Sequence, residues 1–187
     1  MDAAPPPLGP RVVHATFAGP IDQASVQRIF TGFGIALGSG VQSIHLLFQS
    51  AGGMVGDGVA LYNYFKSLPV DLHLYNAGTV ASIATIAFLG AKQRYAAASA
   101  TFMIHKTRFA PGAGTNAAQL RAMAEMADID DTRTRAILQD HLVLPENRLN
   151  EHLDSEVPFT AAAALECGLV TAIEDFSPPP GGQLFNV

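Results

Sequence analysis

The chain has 187 residues, of which 49% are hydrophobic and 14% charged, with a formal net charge of −5. That length suits one domain with its own core, and the mild acidity without a Lys/Arg run excludes the electrostatic footprint of a nucleic-acid binder. A single cysteine, Cys167, excludes an intrachain disulfide and a cysteine-based metal cluster, and so few charges on so apolar a chain point to surface buried in an oligomer.

Residues 1–10 are Pro-rich and read as an extended or disordered lead. They lack the basic and apolar regions of a signal peptide. The longest apolar stretches, such as Val80 to Leu89, are too short to span a membrane. A cytoplasmic location is the expectation, and the lone cysteine is compatible with a reducing compartment. The folded domain is expected over residues 11–176.

Val12 to Phe17 reads as a first strand. A helix follows over 23–37, with Val26, Ile29, Phe30 and Phe33 on one face, Asp22 as its N-cap and Gly38 as its stop. Ile44 to Phe48 is a continuous apolar run, the pattern of a strand buried on both faces. A Gly-rich loop at 49–54 leads into a helix over 55–68, which Pro69 ends. Leu72 to Tyr75 is a third strand, and a small-residue helix is expected to begin at Ser82. Arg94 to Ala97 and Phe102 to Ile104 follow as strands.

The loop 107–114 precedes the longest helical pattern, 116–142, which at that length must protrude or pack on a neighbour. Pro158 to Cys167 reads as a short Ala-rich helix capped by Gly168, and Leu169 to Ile173 as a last strand. Residues 177–187 read as a mobile tail. Strands alternating with helices predict an α/β layer architecture with mainly parallel pairing.

Three features carry chemistry. Ser82 follows Gly78-Thr79-Val80-Ala81 at the start of a helix, where free N–H groups and the positive end of the dipole favour a developing anion. His105 closes the apolar strand 102–104, a rigid position suited to a general base. Gly52-Gly53 lets backbone amides approach a substrate carbonyl, so the Gly53 and Ile83 N–H groups form a candidate oxyanion hole. Taken singly, each has a plainer reading: a cap serine, a core histidine, a tight turn. Together they predict acyl transfer by an activated serine.

The surroundings do not fit the α/β-hydrolase elbow, since Val80 and Ala84 stand where it needs glycine. The acid that would orient the imidazole is open among Glu151, Asp154 and Glu156. No ligand spacing supports a metal, and the segment 52–58 lacks the Lys-Ser/Thr of a nucleotide loop, so no cofactor is expected.

Five blocks resemble the proteolytic subunit of the Clp protease, ClpP. They are Gly19-Pro20-Ile21-Asp22, Phe48-Gln49-Ser50-Ala51-Gly52-Gly53, Gly78-Thr79-Val80-Ala81-Ser82, Arg94-Tyr95-Ala96 with Phe102-Met103-Ile104-His105, and Ala164-Leu165-Glu166-Cys167-Gly168-Leu169-Val170. The resemblance covers about residues 12–175. It implies a crotonase-like fold of repeated ββα units, with 116–142 as a protruding handle helix. Ser82 becomes nucleophile, His105 base, and the Gly53 and Ile83 amides the oxyanion hole.

Registering the end on Gly168-Leu169-Val170 puts Glu156 at the triad-acid position, with Asp154 as fallback. The resemblance further implies peptide or unfolded-protein substrates, self-association into a ring or stacked rings, and an AAA+ unfoldase as partner. The chain departs from the family pattern at Ala51, where proline is usual, and at Lys106-Thr107, where Gln-Pro is usual. Other readings are a catalytically silent ring subunit, a crotonase-type acyl-CoA enzyme, and a Ser-Lys peptidase using Lys92 or Lys106.

Overall fold

A computed structural model describes residues 11–187. The lead 1–10 lies outside the described residues. The chain order is β1 (Val12–Ala18), α1 (Gln23–Gly38), β2 (Ser43–Gln49), α2 (Val55–Ser67), β3 (Asp71–Asn76), β4 (Thr79–Ala81), α3 (Ile83–Phe88), β5 (Gln93–Ala96), β6 (Thr101–Ile104), α4 (Ala117–His141), α5 (Glu146–Glu151), β7 (Val157–Thr160), α6 (Ala161–Glu166), β8 (Ala172–Ile173) and β9 (Leu184–Asn186).

Two sheets result. The larger has the order β8-β5-β3-β2-β1-β9, and the smaller β4-β6-β7. Every pairing is parallel except β6 with β7. Helices α1, α2 and α3 cover one face of the large sheet. Phe17, Phe33, Phe48, Phe88 and Phe102 meet in the core and are essentially buried. Asp22 caps α1 in a reciprocal box with Ser25, as its position before the apolar stripe predicts.

The other face of the large sheet departs from the expectation of a strand buried on both sides. Strand β2 alternates buried and half-buried residues. Its half-buried His45 is in register with His14 and His73 on the neighbouring strands. The His45 ring stacks on His73 at 4.2 Å and on His14 at 4.9 Å between centroids. Partial burial, then the neighbouring imidazoles, lowers the His45 pKa to about 4. Tyr75 donates or accepts at His45 Nδ1 across 2.9 Å.

Three further expectations change. Residues 158–160 belong to β7, not to a helix, and α6 starts at Ala161. Pro158 is tolerated there because β7 is an edge strand. The last strand expected over 169–173 contracts to Ala172–Ile173. The tail expected to be mobile ends in β9, which pairs with β1 through His14↔Leu184, Ala15↔Phe185 and Thr16↔Asn186.

Arg94 fastens the end of the domain to the sheet. Its side chain is buried and donates to the carbonyls of Leu169 (2.8 Å), Ala91 (2.6 Å) and Gly168 (3.0 Å). Arg94→Met keeps the stem and removes all three donors. Three carbonyls then lose their charged partner, so the substitution is expected to cost about 3 kcal/mol or more in urea unfolding with peptide secondary structure retained.

Candidate active site

Two glycines and one strained serine build the site. The loop after β2 folds back so that Ile21 and Gly53 form an isolated parallel bridge, and Ser50 bridges Val80. Gly52 has φ +104°, and a Cβ on it would lie 2.6 Å from Ser82 Cβ. A Cβ on Gly53 would lie 2.1 Å from the Ile21 carbonyl oxygen. Both positions therefore need glycine, one for backbone conformation and both for space.

Ser82 is the one non-glycine residue with positive φ among the described residues, at φ 58° and ψ −134°. Its amide donates to the Met103 carbonyl at 2.7 Å, which ties it to β6. That tie and the abutting Gly52 hold a backbone conformation that would relax in isolation. The helix α3 begins one residue later. The Ser82 hydroxyl caps nothing and has no hydrogen-bond partner among the described residues.

Ser82, His105, Gly53 and Ile83 all line one cleft of about 210 Å³, with Val55, Ile86, Ile104 and Leu138 among its apolar walls. The Gly53 and Ile83 N–H groups make no backbone bond: the Ile21–Gly53 bridge uses Gly52 O and Met54 N, and Ile83 opens a helix. Two free donors thus sit beside the hydroxyl.

His105 emerges from β6, and its Nδ1 contacts the carbonyl of Lys106. A carbonyl can only accept, so Nδ1 carries the proton and Nε2 is the basic nitrogen. The segment that supplies this carbonyl is itself anchored. Asp131 on α4 accepts from the Thr107 N–H at 2.8 Å and pairs with Lys106 Nζ at 3.8 Å. Thr107 stands where the resembled family has proline, which has no N–H to give.

The structure brings Ser82, His105, Gly53 and Ile83 together and places the acids elsewhere. Glu156 pairs with Arg108 at 3.0 Å, and both side chains are more than half exposed. Asp154 is exposed. Lys106 lines the same cleft but pairs with Asp131, and Lys92 does not line it. Two residues went unmarked in the sequence: Asp131, which holds the segment after His105, and His152, which lines the cleft. Each lies in a polar stretch with no pattern to single it out. Among the described residues no group of three His, Cys, Asp or Glu could hold a metal ion, and no helix is long and apolar enough to cross a membrane.

A strained serine beside free amides and a tautomerically fixed histidine can be compared with known proteins. The family model described as Clp protease matches residues 13–176, most of the chain. The chain belongs to the Clp protease family. Among its relatives, the ATP-dependent Clp protease proteolytic subunit 2 of Corynebacterium efficiens is 30% identical over 131 residues, which is 69% of this chain and 65% of that protein. The protein of the same description from Corynebacterium glutamicum is 28% identical over 131 residues, 69% of this chain and 64% of its own length. The matched region thus spans slightly under two thirds of these relatives.

A solved structure of a ClpP1 variant from Listeria monocytogenes superposes with a TM-score of 0.76 at 17% identity, over 89% of this chain and 92% of that one. The likeness shows the ClpP/crotonase-like fold, with parallel pairing dominant as the sequence predicts. Within this Clp protease fold the cleft lies where β2, β4 and β6 end and α3 and α4 close over them.

Proposed function

We propose that the protein is a serine endopeptidase of the Clp type. The observation that supports this most is the strained Ser82 with its hydroxyl unengaged in a cleft shared with His105 and two free amides. Ser82 Oγ attacks the peptide carbonyl while His105 Nε2 takes its proton. The Gly53 and Ile83 N–H groups receive the oxyanion. His105 then returns the proton to the leaving amine, and water hydrolyses the acyl-enzyme by the same route. Apo geometry leaves the Ser82–His105 bond to form when substrate excludes water.

In this conformation the Lys106 carbonyl orients His105, a role a triad carboxylate would otherwise fill, and Glu156 neutralises Arg108 at the cleft. Asp131 is the positioning residue behind that carbonyl. Asp131→Ala is therefore expected to lower kcat roughly tenfold with little change in KM, whereas Glu156→Gln stays within about threefold of the parent. A steady-state assay on a fluorogenic peptide decides between them. A larger loss in Glu156→Gln would return Glu156 to the acid role and show that it leaves Arg108 during turnover.

The relatives' description as proteolytic subunits of an ATP-dependent protease supports unfolded chains or peptides as substrates and an ATP-driven partner, with ATP acting only there. Helix α4 supports self-association into rings. Nine of its first ten residues are exposed, Leu120 and Met126 among them, and so is Ile129 one turn on. An apolar edge on a protruding helix suits contact with another copy. The cytoplasm is the compartment we propose. A silent ring subunit is the second reading, and Glu156 held by Arg108 rather than His105 is what favours it.

A further inference from the structure

Thr85 lies within α3, one turn after Ser82, and is the most buried of the polar residues described, at 0% exposure. Burying a hydroxyl in an apolar core costs free energy unless it finds a partner. A helical threonine ordinarily bonds its hydroxyl to the carbonyl three or four residues back, which here belongs to Ser82 or Ala81. Thr85 uses neither. Its Oγ1 donates instead to the Val80 carbonyl of β4 and the Met103 carbonyl of β6, each at 3.2 Å.

The Met103 carbonyl is also the acceptor of the Ser82 N–H, at 2.7 Å. Two donors therefore converge on one carbonyl, one from the strained residue and one from the helix that follows it. The Thr85 N–H in turn donates to the Ser82 carbonyl at 3.0 Å. Ser82 is gripped through both its N–H and its C=O, and Thr85 takes part at each end. Val80 lies two residues before Ser82, and Met103 two residues before His105. One buried hydroxyl thus ties the strand that delivers the serine to the strand that delivers the histidine. A positive φ at a non-glycine residue persists only where its surroundings over-determine it. The Ile83 N–H belongs to the same turn, so its direction is held along with Ser82.

We propose that Thr85 is a positioning residue whose hydroxyl fixes the Ser82 Oγ and the Ile83 N–H against His105. Thr85 does not line the cleft, so its effect is confined to alignment of the attacking group, where small displacements are costly. The inference rests on the serine-peptidase reading.

Thr85→Val keeps the branched shape and removes the donor. On a fluorogenic peptide it is expected to lower kcat about tenfold or more while KM stays within about twofold. The rate of fluorophosphonate labelling on Ser82 is expected to fall by the same factor, because labelling needs the aligned serine and histidine but no bound peptide. Thr85→Ser restores the hydroxyl without the methyl and is expected within about threefold of the parent. A purely structural hydroxyl would lower the melting temperature of Thr85→Val yet leave kcat and the labelling rate at parent values well below that temperature. That result overturns the proposal. So does a rise in KM at constant kcat, or a Thr85→Ser as slow as Thr85→Val.

Failure of the parent to label on Ser82 overturns the peptidase reading, and this inference with it. A parent that labels beside an unaffected Thr85→Val overturns this inference alone. Should Thr85→Val not fold, Thr85→Cys replaces it. Its thiol is only a weak donor, so a kcat clearly below both the parent and Thr85→Ser is expected, and a parent-level kcat contradicts the proposal.

Discussion

Ser82→Ala is expected to lower peptide turnover by at least about a thousandfold, with melting temperature equal to or above that of the parent. The loss follows from removing the one group that bonds to substrate. The stability expectation follows from the local structure. Ser82 makes no side-chain hydrogen bond whose loss would cost anything, and its positive φ is imposed through its backbone, not through its hydroxyl. Residual turnover would come from the oxyanion donors alone. Peptide hydrolysis and thermal denaturation on the same preparation check both halves. A Ser82→Ala variant that kept most of its activity would remove the nucleophile from the account.

The second large effect belongs to Gly53. Gly53→Ala places a methyl 2.1 Å from the Ile21 carbonyl oxygen, far inside contact distance, and the next nearest atoms are also Ile21 backbone. The loop must move, and with it the Gly53 N–H that the oxyanion needs. Activity is expected to fall by roughly a hundredfold or more, consistent with loss of one oxyanion donor. The bridge to Ile21 also opens, so a stability loss of about 2 kcal/mol accompanies it. Gly56→Ala is the control. It lies on α2 in the same segment, and its Cβ meets nothing within 4 Å, so it is expected to leave both quantities within error. Equal behaviour of the two variants would show that the close packing at Gly53 has no bearing on catalysis.

Much of this arrangement was legible in the residue order. Apolar runs of strand length and the helical stripes of α1 and α2 placed the early elements, because each is written locally. Gly52-Gly53, Ser82 and His105 stood out because each sits where a run of regular structure ends. Strand β4 was hidden. Thr79–Ala81 is too short for a period and acquires its strand character only by pairing with β6. Residues 158–160 carry helix-forming neighbours, yet Phe159 is buried opposite Phe102 once β7 pairs with β6. Tertiary pairing overrides propensity there.

The polar part of the cleft was the least legible. Glu156 was singled out by its register against Gly168-Leu169-Val170, which says nothing of Arg108 approaching from another loop. Asp131 lies among the charges of a long helix, and only the fold shows that it faces the segment after His105. His152 reads as one more polar residue in a polar stretch until α5 buries it. The β9 pairing was hidden for the same reason. A Pro-rich approach over 178–180 masks a short apolar end that finds the edge of β1.

Active-site labelling tests the central claim most directly. The parent protein, Ser82→Ala and His105→Ala are treated with a fluorophosphonate probe and the adduct is mapped by mass spectrometry. The account predicts one adduct on Ser82 in the parent, none in Ser82→Ala, and little or none in His105→Ala. A folded, assembled parent that takes no label, or takes it at another residue, would contradict an activated Ser82 and leave the silent ring subunit as the reading that stands.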